Sequence, residues 1–265
     1  MERIRTKGVT IACRFDGNKD ASRPWIVFSH SLACDHTMWE AQVPAFSDYR
    51  LLRVDTRGHG QSEAPAGDYS LEALADDFRG VLDALAIQRC HFVGLSMGGM
   101  IGMQLALRNP TRFASLTLAD TTSRYPPEAK SVWEERLATV RTRGMEAIVP
   151  STLDRWFTPE FRRTHPAEVN AIAQLIRSTP VAGYAGCAYA ISHINLSARL
   201  AMIDCPTLVL VGEADAGTPP SMAEEIARAI PDARMHLIAN AAHLSNVEQP
   251  AAFNAFLRQF LASQS

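Results

Sequence analysis

The stretch Gly94-Leu95-Ser96-Met97-Gly98-Gly99 constrains this chain more than any other. An apolar run over residues 90–93 precedes it and reads as a short buried strand, and a helix rich in small residues follows over residues 97–109. A strand, a G-x-S-x-G turn and a helix in that order predict a nucleophile elbow, a tight turn that holds a serine hydroxyl clear of a sheet edge. Glycines on either side keep side chains out of the turn. The helix opening at Met97 aims unpaired backbone N–H groups at the point where negative charge would develop.

Similar runs recur on both sides of this unit. Residues 4–15 alternate loosely around Lys7-Gly8 and read as two strands joined by a hairpin. Trp25-Ile26-Val27-Phe28 and residues 51–54 are continuous apolar runs, the pattern of strands covered on both faces. Ser70 stands as an N-cap before a helix over residues 71–85, whose Leu71, Leu74, Phe78, Leu82 and Leu85 form one stripe. Residues 113–118, 207–211 and 235–238 supply further strands. Residues 38–46, 219–230 and the stretch through Phe260 supply further helices. The predicted class is α/β, a mostly parallel central sheet flanked by helices. Residues 121–197 break the alternation with four helical patterns (132–140, 145–157, 167–177, 181–191) punctuated by prolines, and Thr179-Pro180 reads as a cap followed by proline at the first helical position. The expected organisation is a core of residues 1–120 and 198–265 with an inserted helical cap, or lid, over residues 121–197.

Bulk properties exclude several classes. The 265 residues suffice for one domain with a full core, and 47% hydrophobic against 20% charged residues is a globular balance. A formal net charge of -2 gives no nucleic-acid or polybasic membrane footprint. Five cysteines without C-x-x-C spacing argue against a disulfide framework or a zinc site. The first residues are polar, and no apolar run reaches the ~18 residues of a membrane span, so a cytoplasmic, non-membrane protein is expected.

A serine hydroxyl is a weak nucleophile and needs a base, which needs an orienting group. Of eight histidines, His243 lies in a loop directly after the last strand, and Asp215 lies in a loop just after the preceding one. In a parallel sheet these loops and the elbow leave the carboxyl ends of strands and converge on one rim. Ser96, Asp215 and His243 are the candidate catalytic set. Glu213 and Asp120 are rival acids, the latter at the end of an adjacent strand. Met97 and Leu32 are the candidate oxyanion N–H donors, Leu32 because the loop His30-Ser31-Leu32-Ala33 follows a strand beside the elbow. Arg57 and His59, in a glycine-rich polar loop, are read as satisfying that loop rather than as catalytic.

With these residues the chain resembles the α/β-hydrolases and, more narrowly, the 3-oxoadipate enol-lactonases of aromatic-compound catabolism. The narrower resemblance rests on residues 53–62, Gly94 to Met100, the stretch from Gly183-Tyr184 to Ile191, Asp215-Ala216-Gly217-Thr218-Pro219-Pro220 and, above all, Ala242-His243-Leu244-Ser245-Asn246-Val247-Glu248-Gln249-Pro250. The chain departs from that family at His30-Ser31-Leu32-Ala33 and at His193-Ile194-Asn195. The resemblance implies acyl-enzyme opening of a small enol-lactone, with no metal or organic cofactor and a small-molecule substrate. A carboxylated lactone needs a cation in an apolar pocket, and Trp133 and Arg136, three residues apart on a helix, share one face and are the candidate substrate contacts. The alternative for that pair is cap core and a solvated charge. A general carboxylesterase or perhydrolase, and a ligand-sensing receptor on the same fold, remain the other readings.

Overall fold

The computed structural model describes residues 1–264. Among them eight strands form one sheet: β1 (Glu2–Arg5), β2 (Thr10–Gly17), β3 (Trp25–Ser29), β4 (Arg50–Val54), β5 (Cys90–Leu95), β6 (Phe113–Ala119), β7 (Thr207–Gly212) and β8 (Arg234–Ile238). Their order is β1-β2-β4-β3-β5-β6-β7-β8. The pairs β1–β2 and β2–β4 are antiparallel and all others are parallel. Parallel neighbours require crossovers, and the helices α1 (Leu71–Ala84), α2 (Met97–Arg108), α8 (Pro220–Ala229) and α10 (Pro250–Ala262) cover the sheet. Hence every residue of β5 and of β7 is buried. The edge strand β1 carries Glu2, Arg3 and Arg5 instead, charges that discourage pairing with another chain.

Local signals account for much of this. Ser70 caps α1 by accepting the Ala73 N–H at 3.1 Å. The expected helix over residues 38–46 is instead two 3₁₀ segments, His36–Gln42 and Pro44–Phe46. Pro44 has no N–H to continue the first segment, so the chain restarts with it at the first position. Thr179 does not cap the next helix. Its hydroxyl points back to the Leu175 carbonyl at 2.8 Å, and Pro180, extended at ψ 132°, precedes the helix in its place.

Between β6 and β7 the chain forms α3 (Ala129–Arg143), α4 (Val149–Trp156), α5 (Pro159–Thr164), α6 (Pro166–Ser178) and α7 (Val181–Ser192). The two ends of this block meet, Arg124 bridging Asn195 in antiparallel fashion and the Leu196 N–H reaching the Ser123 carbonyl at 2.8 Å. A short α9 (Ser245–Glu248) follows β8. All five cysteines are buried and unpaired, and no helix among the described residues is long and apolar enough to cross a membrane.

Candidate active site

Ser96 leaves β5 with φ 55° and ψ −115°, a conformation non-glycine residues rarely adopt and that costs on the order of 1–3 kcal/mol. Neighbouring backbone holds it there. Its N–H is bound by the Ala119 carbonyl at 2.8 Å, and its carbonyl takes the Thr121 hydroxyl at 2.7 Å and the N–H groups of Gly99 and Met100. A Cβ on Gly98 would sit 2.1 Å from the Ser29 carbonyl oxygen, so only glycine lets α2 start this close to β3.

The Ser96 hydroxyl lies 2.9 Å from His243 Nε2, and His243 Nδ1 lies 2.8 Å from Asp215 Oδ2. All three are buried. Burial by itself would raise the Asp215 carboxyl. The His243 charge and hydrogen bond, with donors from Thr218, hold it below the ordinary carboxylate value instead. Gly217 N–H, Thr218 N–H and the Thr218 hydroxyl all point at it, at 2.8, 3.0 and 2.7 Å. For His243, burial pushes the imidazole down, but the Asp215 charge and hydrogen bond outweigh it and the pKa lies above the usual value. Such a relay lets a hydroxyl lose its proton to the imidazole as it attacks, while the carboxylate fixes the tautomer.

The loop bearing His243 is tied down on every side. Glu248 accepts the Ala242 N–H at 2.8 Å and the Thr158 N–H at 3.0 Å, and so joins this loop to the start of α5. The Leu244 N–H reaches the Trp156 carbonyl at 3.2 Å. Asn246 donates to the Met38 carbonyl at 2.9 Å, and Ser245 donates to Asp120 Oδ2 at 2.5 Å. The rival acid is thereby accounted for: Asp120 Oδ1 accepts the Gly212 N–H at 2.8 Å, and neither oxygen bonds His243. Burial first, and the Asp215 charge second, push its pKa up to about 8. Glu213 is an exposed residue.

The N–H groups of Met97, the residue after Ser96, and of Leu32, which lines the same cavity as Ser96, have no acceptor among the described residues. The loop carrying Leu32 is pinned from below. The Ala33 N–H donates to His59 Nε2 at 2.9 Å, and the Thr56 N–H donates to His30 Nε2 at 2.9 Å. Burial pushes the His59 imidazole down to about 3, so it stays neutral and can accept. Arg57 makes a two-pronged pair with Asp77. Both residues therefore serve the scaffold, in line with their loop context.

Above Ser96 and His243 lies a cavity of about 360 Å³. Trp133 and Arg136 line it, as does Tyr184 from the stretch that carries the narrower resemblance, and so do Tyr125, Arg155 and Trp156, which sequence reasoning did not single out. Trp156 packs beside His243, ring centroids 5.9 Å apart. Its signal was the buried spacing Val149, Thr152, Trp156 on α4. Arg155, beside it, reads in sequence as an ordinary cation in a helix's last turn, where it complements the helix dipole.

A sequence profile of the alpha/beta hydrolase fold matches residues 24–250. The chain is 36% identical over 258 residues to 3-oxoadipate enol-lactonase 1 of Acinetobacter baylyi, covering 97% of this chain and 95% of that protein. It is 30% identical to a putative carbamate hydrolase of Pseudomonas syringae, covering 94% and 98%. The crystal structure of the enol-lactonase from Burkholderia xenovorans superposes with a TM-score of 0.95 at 39% identity, covering 98% of this chain and all of that one.

Proposed function

From the premise that the chain belongs to the α/β-hydrolase family, we propose that it is a serine lactonase that opens a small enol-lactone, 3-oxoadipate enol-lactone foremost, to the oxo-diacid in aromatic-compound catabolism. The carrying observation is the hydrogen-bonded chain Ser96–His243–Asp215 beneath a small, mostly apolar cavity bearing guanidinium groups. Ser96 Oγ attacks the lactone carbonyl as His243 Nε2 takes its proton, and Asp215 stabilises the resulting imidazolium. The Met97 and Leu32 N–H groups receive the oxyanion. The C–O bond then breaks to an enolate, a better leaving group than an alkoxide, which stays tethered to the acyl-enzyme and takes the proton from the His243 imidazolium, leaving the imidazole neutral again. Water then attacks the acyl carbon as His243 takes its proton, and the tetrahedral intermediate collapses with return of that proton to Ser96 Oγ, which releases the oxo-diacid.

In this reading residues 121–197 are a cap on a core of residues 1–120 and 198–265. Trp133 supplies a flat wall and Arg136 part of a cationic rim. The meeting ends of the helical block and its contribution of most of the cavity roof support that division. A reducing, cytoplasmic setting belongs to the same proposal and is supported by five unpaired cysteines.

The relative named as a carbamate hydrolase favours a second reading, hydrolysis of a small carbamate or ester by the same relay. A panel of kcat/KM values for the enol-lactone, saturated lactones, short aryl esters and a simple carbamate separates the two. The lactonase reading expects the enol-lactone to lead. Aryl esters or carbamates turned over as fast would overturn it.

A further inference from the structure

The cavity roof carries an imbalance of charge. Arg136 and Arg155 both line it, and neither has an acidic partner among the described residues. The two are not equivalent. Arg136 is committed, its Nε to the Tyr184 hydroxyl and its Nη2 to the Thr152 hydroxyl at 2.5 Å. Arg155, in the last turn of α4, has no hydrogen-bond or ion-pair partner among the described residues. Acids were available nearby. On the same helical block Arg162 pairs with Asp154, Arg163 with Glu160 and Arg177 with Glu146. Asp154 is even the chain neighbour of Arg155, yet it turns outward.

A half-buried guanidinium facing a second cation is unfavourable until an anion arrives. Burial first, and the Arg136 charge next, pull its pKa down accordingly. The groups that face it are Arg136, Tyr184 and Tyr125, and its charge also reaches His243. Arg155 lines the same cavity as Ser96 and His243, so its free fork faces the space in which a substrate of that serine would lie. Apolar lining from Val132, Ile191 and Met222 completes the cavity.

We infer that Arg155 is the specificity-determining residue of this cavity, its open fork taking a carboxylate on the acyl part of the substrate while Arg136 holds the roof through Tyr184 and Thr152. The matched substrate class is an ester or lactone whose acyl chain ends in a carboxylate a short apolar spacer away from the scissile carbonyl. A guanidinium fork binds a carboxylate in two-pronged fashion, which an ammonium cannot reproduce. This inference rests on the hydrolytic reading above.

The test compares kcat/KM for p-nitrophenyl hydrogen glutarate, whose acyl chain is anionic, with that for p-nitrophenyl valerate, uncharged and of equal chain length. The ratio of the two is internal to each preparation and is insensitive to a fraction of misfolded enzyme. Arg155→Met should lower the ratio roughly 10- to 100-fold, the usual worth of a hydrogen bond to a charged group. Arg155→Lys should recover part of it, and Arg136→Met should lower both rates together and leave the ratio in place. An unmoved ratio in Arg155→Met, or a ratio lost in Arg136→Met instead, overturns the assignment. A wild-type enzyme with an Arg155-dependent ratio that does not open the enol-lactone would sink the lactonase reading and leave this one standing. An enol-lactonase whose ratio ignores Arg155 would do the reverse.

Discussion

The floor and the roof of the cavity are built on different terms. The floor is backbone: Ser96 at φ 55°, held by the Ala119 carbonyl and the Thr121 hydroxyl, Gly98 of α2 pressed against the Ser29 carbonyl, and the unbonded N–H groups of Met97 and Leu32. The roof is side chains: Trp133 and Arg136 from α3, Arg155 and Trp156 from α4, and Tyr184 from the largely buried α7. Of the fifteen residues of α3, only Leu137 and Val140 are buried. In the proposed reading, the difference places chemistry where backbone packing forbids substitution, and selectivity on side chains of the helical block above it.

The sharpest way to break that division is at the serine. Ser96→Ala should lower kcat by roughly 10⁴- to 10⁶-fold with the fold intact, as circular dichroism would check. Turnover above a tenth of wild type would remove Ser96 from the chemistry. Next comes the acid. Asp215→Asn should cost on the order of 10⁴ in kcat through loss of the correct tautomer and of cation stabilisation. Asp120→Asn, which can still accept from Gly212 N–H, should be mild. If Asp120→Asn were the crippling change, the two acids would have to exchange roles.

Stability offers a third comparison. Gly98→Ala on the floor forces a Cβ against backbone and should destabilise by roughly 1–3 kcal/mol in denaturant melts. Val132→Ala at the roof's rim, where the side chain is 55% exposed, should stay within about 0.5 kcal/mol. Equal losses would erase the distinction. The smallest expected effect is in pH. His243 must be neutral to accept a proton, and its pKa lies above the ordinary 6.5 on account of Asp215. The acid limb of kcat/KM should therefore lie above pH 6.5, with activity lost as pH falls through it. In Asp215→Asn the residual activity should show that limb at lower pH. A wild-type limb at or below 6.5 would contradict the raised value.

Ser96, Asp215 and His243 could be placed from sequence because each follows the carboxyl end of a parallel strand within a few residues. A parallel sheet brings all such loops to one rim whatever the rest of the chain does. The stretch from Ala242 to Pro250 was distinctive for the same reason, since Glu248, Ser245 and Asn246 each fix the His243 loop at a set spacing. The 3₁₀ turns in place of a helix at residues 38–46, and the backward-bonded Thr179, were missed at element ends, where one proline outweighs periodicity. Arg155 and Tyr125 carried no local signal at all.

What the sequence by itself determined is the sheet, its crossovers, the strained turn and the order of the three polar residues. All of these follow from short-range spacing and burial along single strands and helices. Only the tertiary structure decided that Asp120 is occupied by Gly212 and Ser245, that His59 holds the Leu32 loop, and that Arg136 is committed where Arg155 is free. The partner of a polar group is chosen among residues tens of positions away, and no periodicity along the chain encodes which donor meets which acceptor.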